Sequence, residues 1–362
     1  MPPAPRWTPP TRRCEVIEML TKQEMFLDFL GAPATQLIIP VYQRVYAWDR
    51  TQCDTLWADI ERAGRTGSAH FIGTMLYATE PGTDEAEHRL DIIDGQQRAA
   101  TLTLLITALR DWMRETGTAL EGIDVDTLTS RYLHVDAVDG ALKLVLSRVD
   151  RATMRAVVEG TELPQDEEEL SQNVANNYRL FRDKMGDGFT ADDAQAIWNG
   201  IQRLLIIAAS LDGDDRPQLI FESLNSKGMP LTTADLIRNL LLVNAGYDEQ
   251  TRLYNLYWAP IERLYADDPG SQRLNAALHG YLAVTARKLR ISDKNQVYAA
   301  FKTFMEDIYQ GSLEELLIGL KGFCETFAAK SNSAGARRAQ AAAEFGNSKP
   351  KDYIGARHVF GD

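Results

Sequence analysis

Apolar positions along the chain switch between a helical and an alternating spacing, and the switches outline its elements. Residues 15–29 carry apolar side chains at helical spacing and stop at Gly31 and Pro33, which predicts a first helix. Residues 37–40 read as a short strand, with Pro40 closing it or lying at an edge. Asp49 is placed to cap a helix that runs to residue 62. Residues 70–78 form a strand, 81–87 an acidic loop and 89–93 a second strand. Over residues 99–113, Leu102, Leu105, Ile106, Leu109, Trp112 and Met113 share one helical face. A compact α/β unit over the first third is the expectation.

From Gly117 onward the spacing favours helices. Residues 131–135 and 141–146, separated by Asp139 and Gly140, resemble a small hairpin. Residues 161–169 form an acidic linker, and helices follow at 170–185 and 191–202. Residues 203–210 read as a buried strand, because the apolar run is short and ends at Asp212-Gly213-Asp214. Helices over 216–225, 232–244, 250–265, 271–289, 294–309 and 312–329 complete an α-rich region. The expected fold class is α+β. Its parts are a leader without structure (1–13), an α/β domain (14–115), a mainly helical domain (116–330) and a connecting segment (331–362).

Composition narrows the functional classes. With 44% hydrophobic and 25% charged residues, the 362-residue chain is ordinary for a globular protein. Cys14, Cys53 and Cys324 are scattered, odd in number and far from any histidine at zinc spacing, which points to a reducing, cytoplasmic setting. No signal-peptide pattern opens the chain, and no apolar run nears the roughly 20 residues that cross a bilayer. A net charge of −12 argues against coating DNA non-specifically, while leaving room for a local basic groove.

Three segments carry candidate chemistry. In Asp94-Gly95-Gln96-Gln97-Arg98 a strand stops and a long helix starts, so glycine backbone, helix amides and the positive end of the dipole meet at one corner. Arg98 adds a planar fork suited to phosphate oxygens, and Gln96 and Gln97 offer groups for a base, a ribose or a water. Asp94 is placed to hold Mg²⁺ with bound phosphates, or simply to cap the helix. The second segment is the loop Pro40-Val41-Tyr42-Gln43-Arg44-Val45-Tyr46-Ala47-Trp48. Its aromatics beside an arginine suit stacking on a base and contact with a phosphate, although Tyr46 and Trp48 equally suit packing under the next helix. Pro40, Val41 and the Tyr42 ring form an expected apolar patch beside Arg44, better matched to a polarisable atom than to a bare phosphate oxygen. The third segment runs from Phe221 to Asn239. Gly228 ends one helix there, and Thr232 with Asp235 opens another as a capping box, which leaves Asn225, Lys227 and Arg238 for a polar wall. A P-loop and the H-E-x-x-H and C-x-x-C patterns are absent.

In this order, I-P-x-Y-Q-R-x-Y-x-W, D-G-Q-Q-R and F-x-x-x-N-x-x-G-x-x-L-x-x-x-D resemble the N-terminal domain of GmrSD-type restriction proteins, a group related to the BrxU and SspE proteins, with a fold of the ParB/sulfiredoxin kind. The resemblance covers residues 21–244. Sulfiredoxin itself fits poorly, because Gln96 and Gln97 stand where its turn carries a cysteine and a histidine. The resemblance implies binding and hydrolysis of an NTP (GTP or ATP) with Mg²⁺, coupled to recognition of modified double-stranded phage DNA. Gly95, Arg98, Asn225 and Lys227 would hold the nucleotide, Gln96 or Gln97 would position water or ribose, and Pro40 to Arg44 would report the DNA. The apolar patch favours the SspE-like branch, which senses phosphorothioate DNA, over the branch that reads sugar-modified bases. An HNH-type nuclease domain commonly follows in this family. Its motif is missing here, so the chain is expected to lack the nicking domain. Two rivals stay open: a nucleotide-gated DNA-binding module without turnover, and a metal-dependent nuclease using Asp91 and Asp94. The preferred nucleotide and a homodimer or other oligomer are equally open.

Overall fold

The structure is a computed structural model that describes residues 20–79, 88–135, 140–166, 169–211, 231–243, 245–268, 271–286, 289 and 296–346, the last sixteen as backbone only. Two compact units divide the chain, one of residues 10–254 and one formed mainly by 255–362.

A mixed six-stranded sheet organises the first unit. Its strands are β1 (Leu20–Met25), β2 (Thr35–Ile38), β3 (His70–Thr79), β4 (His88–Asp94), β5 (Leu144–Val145) and β6 (Leu204–Leu211), in the order β1-β6-β3-β4-β2-β5. β6 is parallel to β3 and antiparallel to β1, while β4 is antiparallel to β3 and parallel to β2. The run Leu204–Leu211 is apolar on both faces because it lies inside the sheet, as its composition predicts. The sheet thus reaches beyond residue 115 and takes β5 and β6 from the mainly helical domain expected over 116–330, including the strand read at 203–210.

Around it pack α1 (Phe26–Leu30), α2 (Arg50–Thr66), α3 (Gln96–Thr116), α4 (Val125–Tyr132), α5 (Arg148–Glu159), α6 (Gln172–Lys184), α7 (Ala191–Ile201), α8 (Thr233–Leu242) and α9 (Tyr247–Leu253). α2 starts as expected: the Asp49 carboxylate accepts from Thr51 N at 2.7 Å, and Gln52 Oε1 accepts from Asp49 N at 2.8 Å. α3 departs from the one-faced pattern, since it is buried almost all round from Gln96 to Met113. Its polar side tolerates this because the hydroxyls of Thr101, Thr103 and Thr107 donate to the carbonyls of Gln97, Ala99 and Thr103 on the preceding turn.

Three expectations are corrected. The predicted helix over 15–29 is strand at Leu20–Met25, where β1 covers the open edge of β6, and only Phe26–Leu30 is helical. The predicted hairpin shrinks to one antiparallel bridge between His134 and Leu142, because its first half starts inside α4 and β5 pairs with β2. In the second unit, the connecting segment expected over 331–362 is helical as far as residue 346, inside α13 (Leu313–Gly346), and its remainder lies outside the described residues. That unit also contains α10 (Ala259–Leu264), α11 (Gln272–Thr285) and α12 (Val297–Thr303). Its core gathers Phe301, Phe304 and Phe323 around Tyr281.

Candidate functional site

Asp94 ends β4, and α3 begins two residues later with Gly95 between them at φ 101° and ψ 0°. This left-handed conformation favours glycine, and a Cβ here would lie 2.3 Å from Met75 Sδ. Side-chain capping of α3 is absent, so Asp94 does not play the capping role; its carboxylate lies 3.5 Å from the Arg98 guanidinium. The first amides of α3 and the positive end of its dipole therefore meet at a corner left uncapped by any side chain.

Arg98 is largely buried along β3. Nη1 donates to Ile72 O at 2.9 Å, and Nη2 donates to Thr74 O. The ladder between β3 and β4 starts only at Leu76, so the guanidinium occupies the edge that β4 leaves uncovered. Gly73 makes this possible: its φ is +110°, β3 shifts register against β6 beside it, and a Cβ there would meet Nη1 at 2.0 Å. Burial lowers the Arg98 pKa, and the nearby Asp94 opposes that shift. These carbonyl bonds engage two of the five donors of the fork.

The two glutamines have different tasks. Gln97 Oε1 accepts from Ala47 N at 2.8 Å and Trp48 N at 3.2 Å, while Nε2 donates to Val45 O at 3.4 Å. One side chain of α3 thereby clamps the far end of the candidate sensing loop. Of the two glutamines expected to position water or ribose, Gln97 has its carboxamide engaged by backbone, which leaves Gln96. Gln96 Nε2 donates to Gln43 Oε1 at 3.4 Å, and Gln43 Nε2 donates to Ile93 O at 3.1 Å. The corner and the loop, some fifty residues apart in sequence, are thus brought together.

The loop is braced from every side. Arg148 donates to the carbonyls of Val41 and Gln43, and Arg238 donates to Tyr42 O at 2.9 Å. Tyr46 N donates to Asp150 Oδ2 at 2.6 Å, and Asn177 donates to Tyr46 Oη and Trp48 O. Pro40, Val41, Tyr42 and Gln43 are buried, whereas Arg44 is half-buried and Val45 exposed. The apolar patch expected beside Arg44 is consequently not a surface, because those side chains fill the interior under the loop. Burial, and secondarily Asp91, raises the Tyr42 pKa well above its ordinary value, so the ring stays neutral. Trp48 packs against the core, as expected of a side chain under the next helix.

Charge converges on the same place. Burial lowers the Arg44 pKa, opposed by Asp235 and Asp94. The Thr232–Asp235 capping box forms as predicted, and Asp235 lies 2.8 Å from the buried Arg238. Burial raises the Asp235 pKa, but Arg238 and the Thr232 hydrogen bonds outweigh it and leave the carboxylate below its ordinary value. Asn225 and Lys227 lie outside the described residues. No group of three or more acidic, histidine or cysteine side chains that could hold a metal occurs among the described residues.

Two helices start at one small pocket. Gln96 and Gln97 from α3 line it together with Arg44 and with Ser147 and Asp150 from α5, and neither helix carries a side-chain cap at its N-cap residue. Gly73, Arg148, Asp150 and Asn177 escaped the sequence reading. Only Gly73 left a local signal, as a glycine inside a strand pattern.

No curated protein matches the chain significantly. A family model described as the N-terminal domain of the GmrSD restriction endonuclease matches residues 26–242, a span that holds the loop, the corner, α5 and α8. With well over half of its length matched and with these segments converging on one site, the chain belongs to the GmrSD restriction endonuclease N-terminal domain family.

Proposed function

We propose that the first unit binds and hydrolyses an NTP at the Gly95 corner and couples turnover to modified double-stranded DNA met by the loop at Arg44 and Val45. The observation that carries this reading is that two helix N-termini without side-chain caps, α3 and α5, meet beside Arg44 around a space that admits one water-sized group, so the phosphates lie outside that space, against Arg44. Helix starts of this kind favour phosphate, and an arginine adds charge that strengthens as phosphoryl transfer proceeds. Gly95 takes the left-handed turn that starts α3 and leaves room for Met75 beneath it. Arg98 retains donors of its fork beyond the carbonyls it grips. Mg²⁺, where bound, neutralises phosphate charge, and Asp94 is the residue of this corner suited to hold it.

The loop supplies the coupling. Gln97 and Gln43 tie it to the start of α3, so a displacement at Arg44 reaches the corner through side chains rather than through a distant relay. Because Pro40 to Gln43 are buried, they act as the scaffold that aims Arg44. Phosphorothioate remains the proposed modification, since a sulfur that is poorly hydrated suits the exposed Val45 beside Arg44 better than a phosphate oxygen does. Matched duplexes with and without the sulfur test it. Tighter binding and faster hydrolysis with the sulfur-bearing duplex are expected, and equal affinity with equal stimulation rejects the sulfur reading.

A further inference from the structure

Gln96 carries an unanswered acceptor. The residue is 6% exposed, and its Oε1 is buried with no hydrogen-bond partner. A carboxamide flip gives no relief. Turning Gln96 over would set its oxygen against Gln43 Oε1, and turning Gln43 over would set its oxygen against Ile93 O. A buried acceptor left without a donor costs about 1–3 kcal/mol, so a donor from outside the chain, a water or a ligand hydroxyl, is needed to answer it.

The pocket restricts what that donor is. An ionised phosphate presents acceptors only and cannot answer Gln96 Oε1. The free volume is ≈ 10 Å³, room for one water-sized group and not for a base ring. Ser147 lines the same pocket, and its hydroxyl caps no amide of α5, which leaves it able to give or take a further hydrogen bond. A hydroxyl satisfies both walls, since it donates and accepts at once. We propose that Gln96 Oε1 accepts a hydrogen bond from a sugar hydroxyl of the bound nucleotide, which makes the corner selective for ribonucleotides. This rests on the nucleotide reading above and assigns Gln96 a task that Gln97 cannot share.

Calorimetric titration of the full chain with an NTP, its 2′-deoxy and 3′-deoxy analogues and inorganic tripolyphosphate tests the proposal. The wild type is expected to bind one deoxy analogue about 10–100-fold more weakly than the NTP, the range that one lost hydrogen bond to a buried partner gives. Gln96→Met, close in shape but without the acceptor, is expected to bring that ratio to within about twofold of unity. Gln96→Leu, which likewise lacks the acceptor, is expected to do the same, and carries the test if the methionine variant does not fold. Equal binding of the NTP and both analogues by the wild type overturns the inference while leaving nucleotide binding intact. So does discrimination that survives in Gln96→Met, which would assign the hydroxyl to another residue or the acceptor to water. Failure of the wild type to bind any nucleotide or tripolyphosphate overturns the underlying reading as well.

Discussion

At the scale of single residues, side chains with the same chemistry divide into holding the site and facing its ligand. Gln97 answers three backbone groups of the loop, and its loss leaves Ala47 N, Trp48 N and Val45 O to find water in a partly buried place. Gln97→Ala is expected to cost about 2–4 kcal/mol, read as a fall of roughly 5–15 °C in melting temperature, whereas Gln97→Glu keeps the acceptor and loses less. An alanine variant that melts within a degree of wild type would contradict the clamp. Asp150 gives a pH test. Burial raises its carboxyl pKa, while Ser171, Tyr46 N and Arg148 pull it down without cancelling the shift. A carboxyl raised in the fold binds its proton more readily there than in the unfolded chain. Its contribution to stability therefore falls as pH climbs from about 3.9 through the folded value, and is flat above it. Asp150→Asn removes this slope, so the stability of wild type minus variant should decline over that acid window; a constant or rising difference would count against the assignment. None of this was legible beforehand. The residues at the corner could be picked from composition and spacing, but their partners lie about twenty-five to fifty residues away along the chain, where only the fold decides who meets whom.

At the scale of elements, legibility followed locality. The start of α2, the strand at β6 and the capping box of α8 depend on neighbours within one turn or on one apolar run, and each formed as its sequence predicts. The segment at residues 20–25 did not, because helical spacing there competes with the open edge of β6, which offers a full antiparallel ladder. α3 misled in another way: its threonines look like a solvated face, yet they bond back to the helix and let it serve as the buried axis of the unit. The bulge at Gly73 is the element on which Arg98 depends. Gly73→Ala sets a side chain in a left-handed position against the guanidinium, and is expected to cost about 2 kcal/mol or more and to weaken nucleotide binding together with stability. Unchanged melting and unchanged binding would show that Arg98 does not need this seat.

At the scale of the whole molecule, the chain is a restriction-family protein whose recognisable part is the sheet-centred unit, with a separate helical unit after it. Among the described residues no helix is long and apolar enough to cross a membrane. On the proposed reading, a net charge of −12 favours contact with DNA through a few phosphates near Arg44 over a broad basic face. The affinity for duplex should then fall with salt by a logarithmic slope of about −2 to −4, and a slope near −10 would indicate a broad electrostatic footprint instead. The central claim, that the Gly95 corner turns over nucleotide, is tested most directly by phosphate release from the purified chain and its Arg98→Lys variant, with and without sulfur-bearing duplex. The wild type is expected to hydrolyse an NTP over many turnovers and faster with that duplex, and the lysine variant to lose about 100-fold or more while still melting cooperatively. A wild type that releases no phosphate from any NTP, or a variant that matches it, would contradict the account.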